Sequence, residues 1–457
     1  MQVSRPAIAP DSLTGETLTT GPNGTNHASV STSKFVFALV IAATWFAISL
    51  ALALSWAEDL ARIIGVVPAW LIIGGIALLP GFMNVFQIAS LLMRPRGQYA
   101  EPECYPPVTI LIAAYNEAAH IDRTLDSLRA QRYSGEVEIL VIDDGSTDAT
   151  AQVVHAAALP GLRLIQQETN DGKAAALNRG LAQAEHELIV TIDADSWLHV
   201  DALRYLVREY LNGQPQTAAV AGAVFVHNAA ANWVTRLQHW DYFHSIAATK
   251  RTQSAYGGAL VAQGAFSLYR KDILHDIGGW PRCVGEDIVV TWAILQRGLY
   301  VRYAEDAVCF TQVPADLPQL VRQRARWARG MFEALFHHPG ILIRRRLITF
   351  LVGWNLLFPW IDLAYTFGFV PGLVLAAFGH YWLIGPVTLA LIPSAALMAL
   401  VMYRMSARVF AVNGLHIRHD AVALIGYMFG YGLINHPASL RGYAAELLGA
   451  PRRWGTK

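Results

Sequence analysis

Pairs of carboxylates recur in the middle of this chain, and the pair in Asp193-Ala194-Asp195 has the most informative spacing. Alternate residues of an extended segment project to the same side, so these two side chains would repel each other unless a cation lies between them. Mg²⁺ or Mn²⁺ suits the pair, because a small divalent cation takes one or two carboxylates together with phosphate oxygens. Asp-x-Asp alone is a weak signal, but it predicts a site for a metal-bound diphosphate.

Two further acidic motifs each have a functional and a structural interpretation. Asp143-Asp144-Gly145-Ser146 follows a β-rich run and is typical either of a ligand site or of a turn with a capped helix. Gly285-Glu286-Asp287 precedes a helical run, where Asp287 would stabilise the helix N-terminus. Because a carboxylate can also remove a proton from a hydroxyl group, Asp287 is equally a candidate general base.

Basic and aromatic side chains supply candidate partners for a diphosphate. Lys173, in Asn170-Asp171-Gly172-Lys173, lies where a loop enters a helix and is either an anion-binding group or a solvent-exposed lysine. Gln323, Arg326 and Trp327 have i, i+3, i+4 spacing, which places them on one face of a helix expected over residues 316–336.

The same helix is basic and amphipathic, with Arg322, Arg324 and Arg329 among its apolar residues. Next to an apolar span, such a helix is expected to lie in the membrane interface. Trp327 is then either an interfacial belt tryptophan or a platform whose indole covers the C–H face of a sugar ring. The sequence leaves both interpretations open.

Strands and helices alternate around these motifs, which predicts a parallel sheet with helices on both faces. Tyr115, Asp143, Asp144 and Asp193 fall at the carboxyl ends of strands, where ligands bind in such sheets. We therefore expect these side chains to converge on one edge. The expected strands are at residues 108–114, 137–143, 163–166 and 188–193, and the expected helices are near residues 118–131, 148–158 and 173–184.

The composition indicates a membrane protein. Of 457 residues, 54% are hydrophobic and 15% are charged, against a usual charged share of about a quarter. Residues 35–56 and 65–93 carry no Asp, Glu, Lys or Arg, and about 20 such residues span a bilayer. Residues 347–403 hold two or three more spans, with Asp362 as their one acidic residue, and residues 421–435 form a weaker stretch. We expect about five spans, give or take one.

These features divide the chain into segments. Arg94 and Arg96 on one side and Arg344-Arg345-Arg346 on the other flank a central region of about 250 residues, enough for a soluble domain with its own core. The positive-inside rule places this region in the cytoplasm. The first span is too long and too far into the chain to resemble a cleaved signal peptide. The expected segments are a disordered tail at 1–33, two transmembrane helices at 34–93, a catalytic domain at 94–310, amphipathic interface helices at 311–346, transmembrane helices at 347–440 and a basic tail at 441–457.

Other functions are disfavoured by charge and spacing. The net charge of +1 provides no large basic field for a polyanion, so we expect no nucleic acid partner. Cys104, Cys283 and Cys309 lack the paired spacing of a zinc site and are expected to be free thiols. Few ionisable residues lie in the spans, which disfavours a transporter without chemistry.

In combination, the motifs resemble the processive, membrane-bound inverting glycosyltransferases of family 2, which include cellulose, chitin, hyaluronan and poly-N-acetylglucosamine synthases. The resemblance covers about residues 35–457 and implies an α/β GT-A (Rossmann-like) domain inserted between transmembrane helices. Gly285 departs from a frequent Thr but leaves Asp287 untouched. The matching residues, in order, are Ala114-Tyr115-Asn116-Glu117, Asp143-Asp144-Gly145-Ser146, Gly172-Lys173-Ala174, Asp193-Ala194-Asp195, Gly264 with Arg270, Gly285-Glu286-Asp287 and Gln323 through Trp327.

The resemblance implies a role for each of these residues. Asp287 would be the catalytic base, and Trp327 and Glu286 would contact the acceptor. Asp195, supported by Asp193, would bind the metal ion. The residues expected to hold the nucleotide sugar are Tyr115, Glu117, Asp144, Lys173, Asp193, Gln323 and Arg326.

The implied reaction is inverting transfer from a UDP-sugar, expected to be UDP-N-acetylglucosamine, to a growing β-linked exopolysaccharide that the adjacent spans help to export. Chain size and span order are most similar to bacterial poly-β-1,6-N-acetylglucosamine synthases. This implies a multi-pass protein of the bacterial inner membrane, with or without a small membrane subunit. Hyaluronan-type and chitin-type synthases remain alternatives, as does a nonprocessive transferase to a polyprenyl phosphate, which has no need of Gln-x-x-Arg-Trp.

Overall fold

Two apolar helical segments begin the described part of the chain. The computed structural model describes residues 27–93, 99–344, 346–385, 387–417 and 420–451. Gly65, with a left-handed φ of 90°, separates the two segments. The spans Thr32–Ile64 and Val66–Leu92 are long and apolar enough to cross a membrane. The segments comprise α1 (His27–Ile64), α2 (Val66–Ile73), a π-helical turn (Gly74–Leu78) and α3 (Leu79–Leu92).

The start of α1 changes the boundary of the expected disordered tail. Residues 27–33 are helical, and because they contain neither glycine nor proline, the apolar helix can extend upstream through them. The remainder of that tail, residues 1–26, lies outside the described residues, as do Arg94, Arg96 and Arg345.

A mixed eight-stranded sheet forms the centre of the molecule, in the order β3-β2-β1-β4-β7-β6-β8-β5. The expected parallel arrangement holds for β3, β2, β1 and β4. Beyond β4 the sheet is mixed, because β7 runs antiparallel to both β4 and β6. The strands are β1 (Val108–Ala114), β2 (Val137–Asp143), β3 (Leu162–Gln166), β4 (Leu188–Ile192), β5 (Ser196–Leu198), β6 (Thr217–Val226), β7 (Phe266–Arg270) and β8 (Tyr300–Thr311).

Helices cover both faces of this sheet, as the alternating pattern predicts. One apolar layer joins the sheet to α4, α5 and α7, and the layer on the other face joins it to α6, α9 and α11. The helices are α4 (Ile121–Arg129), α5 (Thr150–Ala156), α6 (Lys173–Gln183), α7 (Ala202–Leu211), α8 (Trp233–Asp241), α9 (Thr249–Ala255), α10 (Lys271–Ile277) and α11 (Glu286–Gln296), with a π-helical segment (Tyr242–Ala248) between α8 and α9.

The second of these layers continues into the N-terminal helices. Phe35 of α1 and Phe86 of α3 pack in the same cluster as Leu111 of β1. Both phenylalanine rings contact Tyr256, at centroid distances of 5.1 and 5.8 Å. The sheet domain therefore shares its core with the helices expected to cross the membrane.

A long helix, α12 (Leu317–His337), connects the sheet domain to the C-terminal helices through a 3₁₀ turn (Pro339–Ile343). Leu347–Ala377 and Leu391–Val412 are candidate spans, which makes four in the described residues. Residues 421–435 are helical but are not part of a candidate span, and α18 continues into the segment expected to be a tail. The helices are α13 (Leu347–Trp354), α14 (Phe358–Ala364), α15 (Val370–Ala377), α16 (Val387–Val412), α17 (Ala421–Gly426) and α18 (Gly432–Leu447), with π-helical turns at Tyr365–Phe369 and Tyr427–Tyr431.

Candidate active site

The loops that follow β1 and β2 are tied together at the carboxyl edge of the sheet. Ser146 Oγ accepts a hydrogen bond from the Asn116 N–H at 2.9 Å, and Asn116 Oδ1 accepts one from the Thr147 N–H at 2.8 Å. Asn116 has a left-handed φ of 55°, which asparagine tolerates better than most residues. This exchange holds the half-buried Tyr115 and Glu117 at the edge where they were expected.

Asp144 is buried and shapes the loop that leads to Lys173. Its carboxylate accepts hydrogen bonds from Gln167 Nε2 at 2.9 Å and from the N–H groups of Asp171 and Gly172 at 3.0 and 2.8 Å. Burial raises the pKa of Asp144, and the two backbone hydrogen bonds oppose that rise. The carboxylate is thus anchored within the pocket that the two loops enclose.

Lys173 joins two of the acidic motifs. Its Nζ lies 2.5 Å from Asp193 Oδ1 and 3.4 Å from Glu286 Oε1. Burial disfavours the ammonium, but these carboxylates outweigh burial and raise the pKa of Lys173. A Cβ on Gly264 would lie 2.4 Å from Nζ, so a larger residue there would displace the ammonium. The alternative of a solvent-exposed lysine is wrong, because the side chain is 12% exposed.

Asp193 and Asp195 fit a divalent metal by the chemistry of their donors. Both are partly exposed, and their hard oxygen atoms suit Mg²⁺ or Mn²⁺. Ser196 Oγ donates to Asp195 Oδ1 at 3.4 Å. Within the described ranges, no group of three or more His, Cys, Asp or Glu side chains is arranged to hold a metal. A metal bound by this pair would therefore take its remaining ligands from a diphosphate and water.

Asp287 lies beside the lysine cluster, in the first turn of α11. Its Oδ1 accepts a hydrogen bond from the Ile288 N–H at 2.8 Å, and its Oδ2 accepts a long one from the Gly264 N–H at 3.4 Å. Lys250 of α9 is buried nearby, and burial lowers its pKa to about 7 against the attraction of Asp287. The candidate base thus has a cation on the side of α9 and borders the Lys173 cluster through Gly264.

Helices α11 and α12 meet through two glycines. A Cβ on Gly285 would lie 2.4 Å from the Gly330 Cα, and a Cβ on Gly330 would lie 2.8 Å from the Gly285 Cα. Glu333, which is fully buried, accepts a hydrogen bond from the Gly285 N–H at 2.8 Å through Oε2. The departure from a frequent Thr at Gly285 has a physical reason, because a larger residue would push the two helices apart.

The predicted face of α12 points toward this pocket. Gln323 is buried, Arg326 is half-buried and Trp327 is 36% exposed. The ring centroids of Trp327 and Tyr242 are 6.3 Å apart. Burial raises the pKa of Tyr242 to about 12, and Arg326 is among the charges that act on this phenol. One pocket therefore collects the Gln-x-x-Arg-Trp face and a tyrosine from the segment after α8.

The expectation that the arginines of α12 face a membrane interface is wrong for two of them. Arg324 is buried in an ion pair with Asp241 at 2.9 Å. Arg329 is buried as well, and its Nε donates to Glu446 at 2.7 Å. Both acids come from segments that are distant in sequence. The helical period of α12 could not show these partners, and by itself it indicated solvent or lipid for the two arginine side chains.

Arg270 lies away from the pocket. Strand β7 is antiparallel to β4, so that Phe266 pairs with Ile192 and Arg270 pairs with Leu188 at the opposite edge of the sheet. Its guanidinium forms an ion pair with Asp272. The resemblance paired Gly264 with Arg270, but the structure brings only Gly264 of these two to the site.

Some residues at the site were missed by sequence reasoning. Asp241, Tyr242, Lys250 and Glu333 belong to helical segments whose local pattern shows no motif. The available signal was a run of aromatic residues interrupted by an acid, Trp240-Asp241-Tyr242-Phe243. Nothing in that run identifies Arg324 as the partner of Asp241, or Trp327 as the neighbour of Tyr242.

Comparisons with known proteins agree with this geometry. Residues 106–330 match the family described as Glycosyltransferase like family 2. A poly-beta-1,6-N-acetyl-D-glucosamine synthase from Staphylococcus epidermidis is 33% identical over 248 residues, which are 54% of this chain and 58% of that protein. The Staphylococcus aureus (strain COL) protein of the same name is 34% identical over 230 residues, which are 50% of this chain and 55% of that protein. The match thus spans little more than half the length of these curated relatives.

A solved structure shares the fold. The mannosyltransferase from Pyrobaculum calidifontis, in complex with GDP-Man and Mn²⁺, has a TM-score of 0.58 and 19% sequence identity. The likeness covers 87% of this chain and 99% of that chain. It confirms the expected GT-A type of α/β fold.

The chain contains a glycosyltransferase domain of family 2, over residues 106–330. It is a membrane-associated glycosyltransferase related to synthases of poly-β-1,6-N-acetylglucosamine.

Proposed function

We propose that this protein is a processive inverting glycosyltransferase that polymerises UDP-N-acetylglucosamine into a β-linked exopolysaccharide and helps to move the polymer across the membrane. One observation carries the proposal: Asp287 borders the cluster of Lys173, Asp193 and Glu286 through Gly264, and its helix packs against the helix that presents Trp327. The choice of donor rests on the names of the Staphylococcus relatives.

In the proposed reaction Asp287 takes the proton of an acceptor hydroxyl as its oxygen attacks the anomeric carbon. The new glycosidic bond forms on the face opposite to the departing diphosphate, and UDP leaves as the old bond breaks. Lys250 is buried near the Asp287 carboxylate. Nearby, the Gly264 N–H holds Oδ2 in place.

On the donor side, Tyr115, Glu117 and Asp144 would hold the uridine, and Lys173, Gln323 and Arg326 would contact the diphosphate. Asp195, with Asp193, would hold Mg²⁺ or Mn²⁺, which when bound neutralises charge on the leaving group. Lys173 contacts Asp193 and Glu286, so its ammonium lies beside the carboxylates that would border the diphosphate.

On the acceptor side, Trp327 would stack on the terminal sugar of the growing chain, with Glu286 as a polar contact. The indole is exposed enough to be covered by a sugar ring and lies beside Tyr242. A belt tryptophan would instead face lipid headgroups, away from the catalytic pocket.

The proposed location is the bacterial inner membrane, with several spans and a cytoplasmic catalytic domain. Four apolar helices support membrane association, and Arg344 and Arg346 border the third of them on the catalytic side. Protease treatment of sealed inverted vesicles tests this orientation. Digestion of the central domain is the expected result, and its protection would contradict the proposal.

The reaction is tested by UDP release from purified protein in liposomes with a panel of UDP-sugars, followed by linkage analysis of the product. We expect release with UDP-N-acetylglucosamine and a long β-linked polymer, with or without a small membrane subunit. Products containing glucuronate or β-1,4 linkages would identify the hyaluronan or chitin type of synthase. Transfer of a single sugar to a polyprenyl phosphate would overturn processivity.

A further inference from the structure

A buried charged cluster links three distant segments behind Trp327. Arg324 Nη2 of α12 lies 2.9 Å from Asp241 Oδ2 of α8. The Tyr431 hydroxyl, from the π-helical turn before α18, donates to the same Oδ2 at 3.2 Å. The side chains of Arg324 and Asp241 are 4% and 6% exposed. We call Arg324, Asp241 and Tyr431 the arginine clamp.

The guanidinium of the clamp stacks on the candidate acceptor platform. The Arg324 Cζ lies 4.0 Å from the centroid of the Trp327 ring and 5.7 Å from the Tyr431 ring. Among the described residues, Nε and Nη2 of Arg324 are buried without a hydrogen bond, so Nη2 meets Asp241 as an ion pair. Aromatic faces therefore surround a cation whose polar contact is one carboxylate, an arrangement that planar guanidinium groups favour.

Trp327 is thus held by contacts with protein side chains. Arg324 precedes it by three residues, so the two side chains are neighbours on the helix surface. Tyr242 approaches from another side at 6.3 Å, with an interplanar angle of 52°. The residue nevertheless keeps about a third of its surface exposed. This combination leaves the indole oriented but accessible.

We propose that Arg324, fixed by Asp241 and Tyr431, is a positioning residue that orients Trp327 for stacking on the acceptor sugar. The inference rests on the proposed function of Trp327. It assigns the turn before α18 a part in acceptor binding, because Tyr431 and Arg324 share the carboxylate of Asp241. Arg324 itself touches no reacting atom, and its effect passes through the indole.

Arg324→Lys is the informative variant, because lysine keeps the charge opposite Asp241 but lacks the planar group that stacks on an indole. The readouts are product length and the KM for UDP-N-acetylglucosamine, measured on full-length protein in liposomes and normalised to folded enzyme. We expect products shorter by between about twofold and thirtyfold. The KM should be unchanged within about twofold, because the Arg324 side chain contacts Asp241, Trp327 and Tyr431 and not the side chains assigned to the donor.

A double-mutant cycle with Trp327→Ala separates positioning from general damage. If Arg324 acts through Trp327, Arg324→Lys in the Trp327→Ala background shortens the product no further. Additive shortening, or full-length product from Arg324→Lys alone, would overturn the positioning role. Unchanged product length in Trp327→Ala would instead overturn the acceptor platform itself, so the two failures are distinguishable.

The chain provides a matched control in Arg329→Lys. Arg329 is a buried arginine of the same helix with a carboxylate partner, Glu446, but its other contacts are the carbonyl oxygens of Ala450 and Pro451. We expect normal product length from folded Arg329→Lys enzyme, and shortening equal to that of Arg324→Lys would overturn the proposal. Should Arg324→Lys not fold, Arg324→Met with Asp241→Leu removes both charges together, which buried pairs often tolerate, and must shorten the product in the same way.

Discussion

Two ion pairs, Lys173 with Asp193 and Arg324 with Asp241, differ in how far solvent can reach them. The Lys173 and Asp193 side chains are 12% and 32% exposed, whereas those of Arg324 and Asp241 are 4% and 6% exposed. A ligand can therefore compete for the first pair but not for the second. In the proposed reaction, the donor side exchanges a charged nucleotide in each cycle, and the acceptor side keeps one geometry over many additions. The difference in burial suits these two tasks.

The largest expected effect is on the open, donor side. Asp195→Asn removes the charge that a metal requires while keeping the size of the side chain, so we expect loss of metal-dependent UDP-sugar binding and of nearly all turnover. Calorimetric titration of UDP-sugar with and without Mg²⁺ measures the binding. A chelator applied to the unmodified protein should have the same effect, and full activity in chelator would return Asp193 and Asp195 to a structural role.

The next largest effect is expected from a substitution of Asp287. Asp287→Asn keeps the contact with the Ile288 N–H but cannot take a proton, so turnover should fall by roughly 10² to 10⁴. Binding of UDP-sugar should be normal, which distinguishes this variant from Asp195→Asn. Near-normal polymer synthesis by folded Asp287→Asn protein would leave Asp287 as a helix-capping residue.

The glycine contact tests whether the two sides are rigidly joined. Gly330→Ala places a methyl group against the Gly285 backbone, where the gap to Cα is 2.8 Å. Backbone cannot rotate away, so we expect a loss of about 1 to 3 kcal/mol in the free energy of unfolding and a fall in turnover. Thermal unfolding measures the loss of stability. Gly353→Ala, where a Cβ meets nothing within 4 Å, serves as a control that should lose neither.

The smallest expected effect concerns Lys250 and pH. Its pKa in the folded protein is about 7, below the ordinary 10.5, so the unfolded chain binds more protons between these values. Stability should consequently rise as the pH increases from about 7 toward 10.5. Lys250→Met should reduce this rise, which melting temperatures at pH 7, 8 and 9 would measure. An identical pH dependence in the two proteins would mean that Lys250 is not the group responsible.

Local sequence patterns were sufficient for the open side of the site. β1 and β2 begin and end at the predicted residues, because uninterrupted apolar runs between turn residues specify buried strands. Asp193 directly follows β4, so the sequence predicts the edge of the sheet at which it lies. The family resemblance added the fold, which the comparisons confirm.

The buried side of the site, around Arg324 and Asp241, could not be predicted in the same way. Asp241 and Tyr431 are 190 residues apart, and only the folded chain shows that Tyr431 and Arg324 both contact the Asp241 carboxylate. The basic amphipathic period of α12 indicates a helix at a surface. It cannot show that an acidic residue of another segment pairs with one of its arginines. Arg324 was therefore expected at a membrane interface and is buried instead.

The core shared by the sheet and the N-terminal helices has a practical consequence for dissecting this enzyme. Removing α1 and α3 would strip Phe35 and Phe86 from Tyr256 and would leave the Ser90 partner of its hydroxyl absent. Gln87 of α3 also donates to Thr249, next to Lys250. A water-soluble fragment limited to residues 106–330 would expose that apolar seam and lose Tyr431 as well. We therefore expect the catalytic half not to fold stably without these helices, so that its chemistry is best studied on the full chain in a lipid or detergent environment.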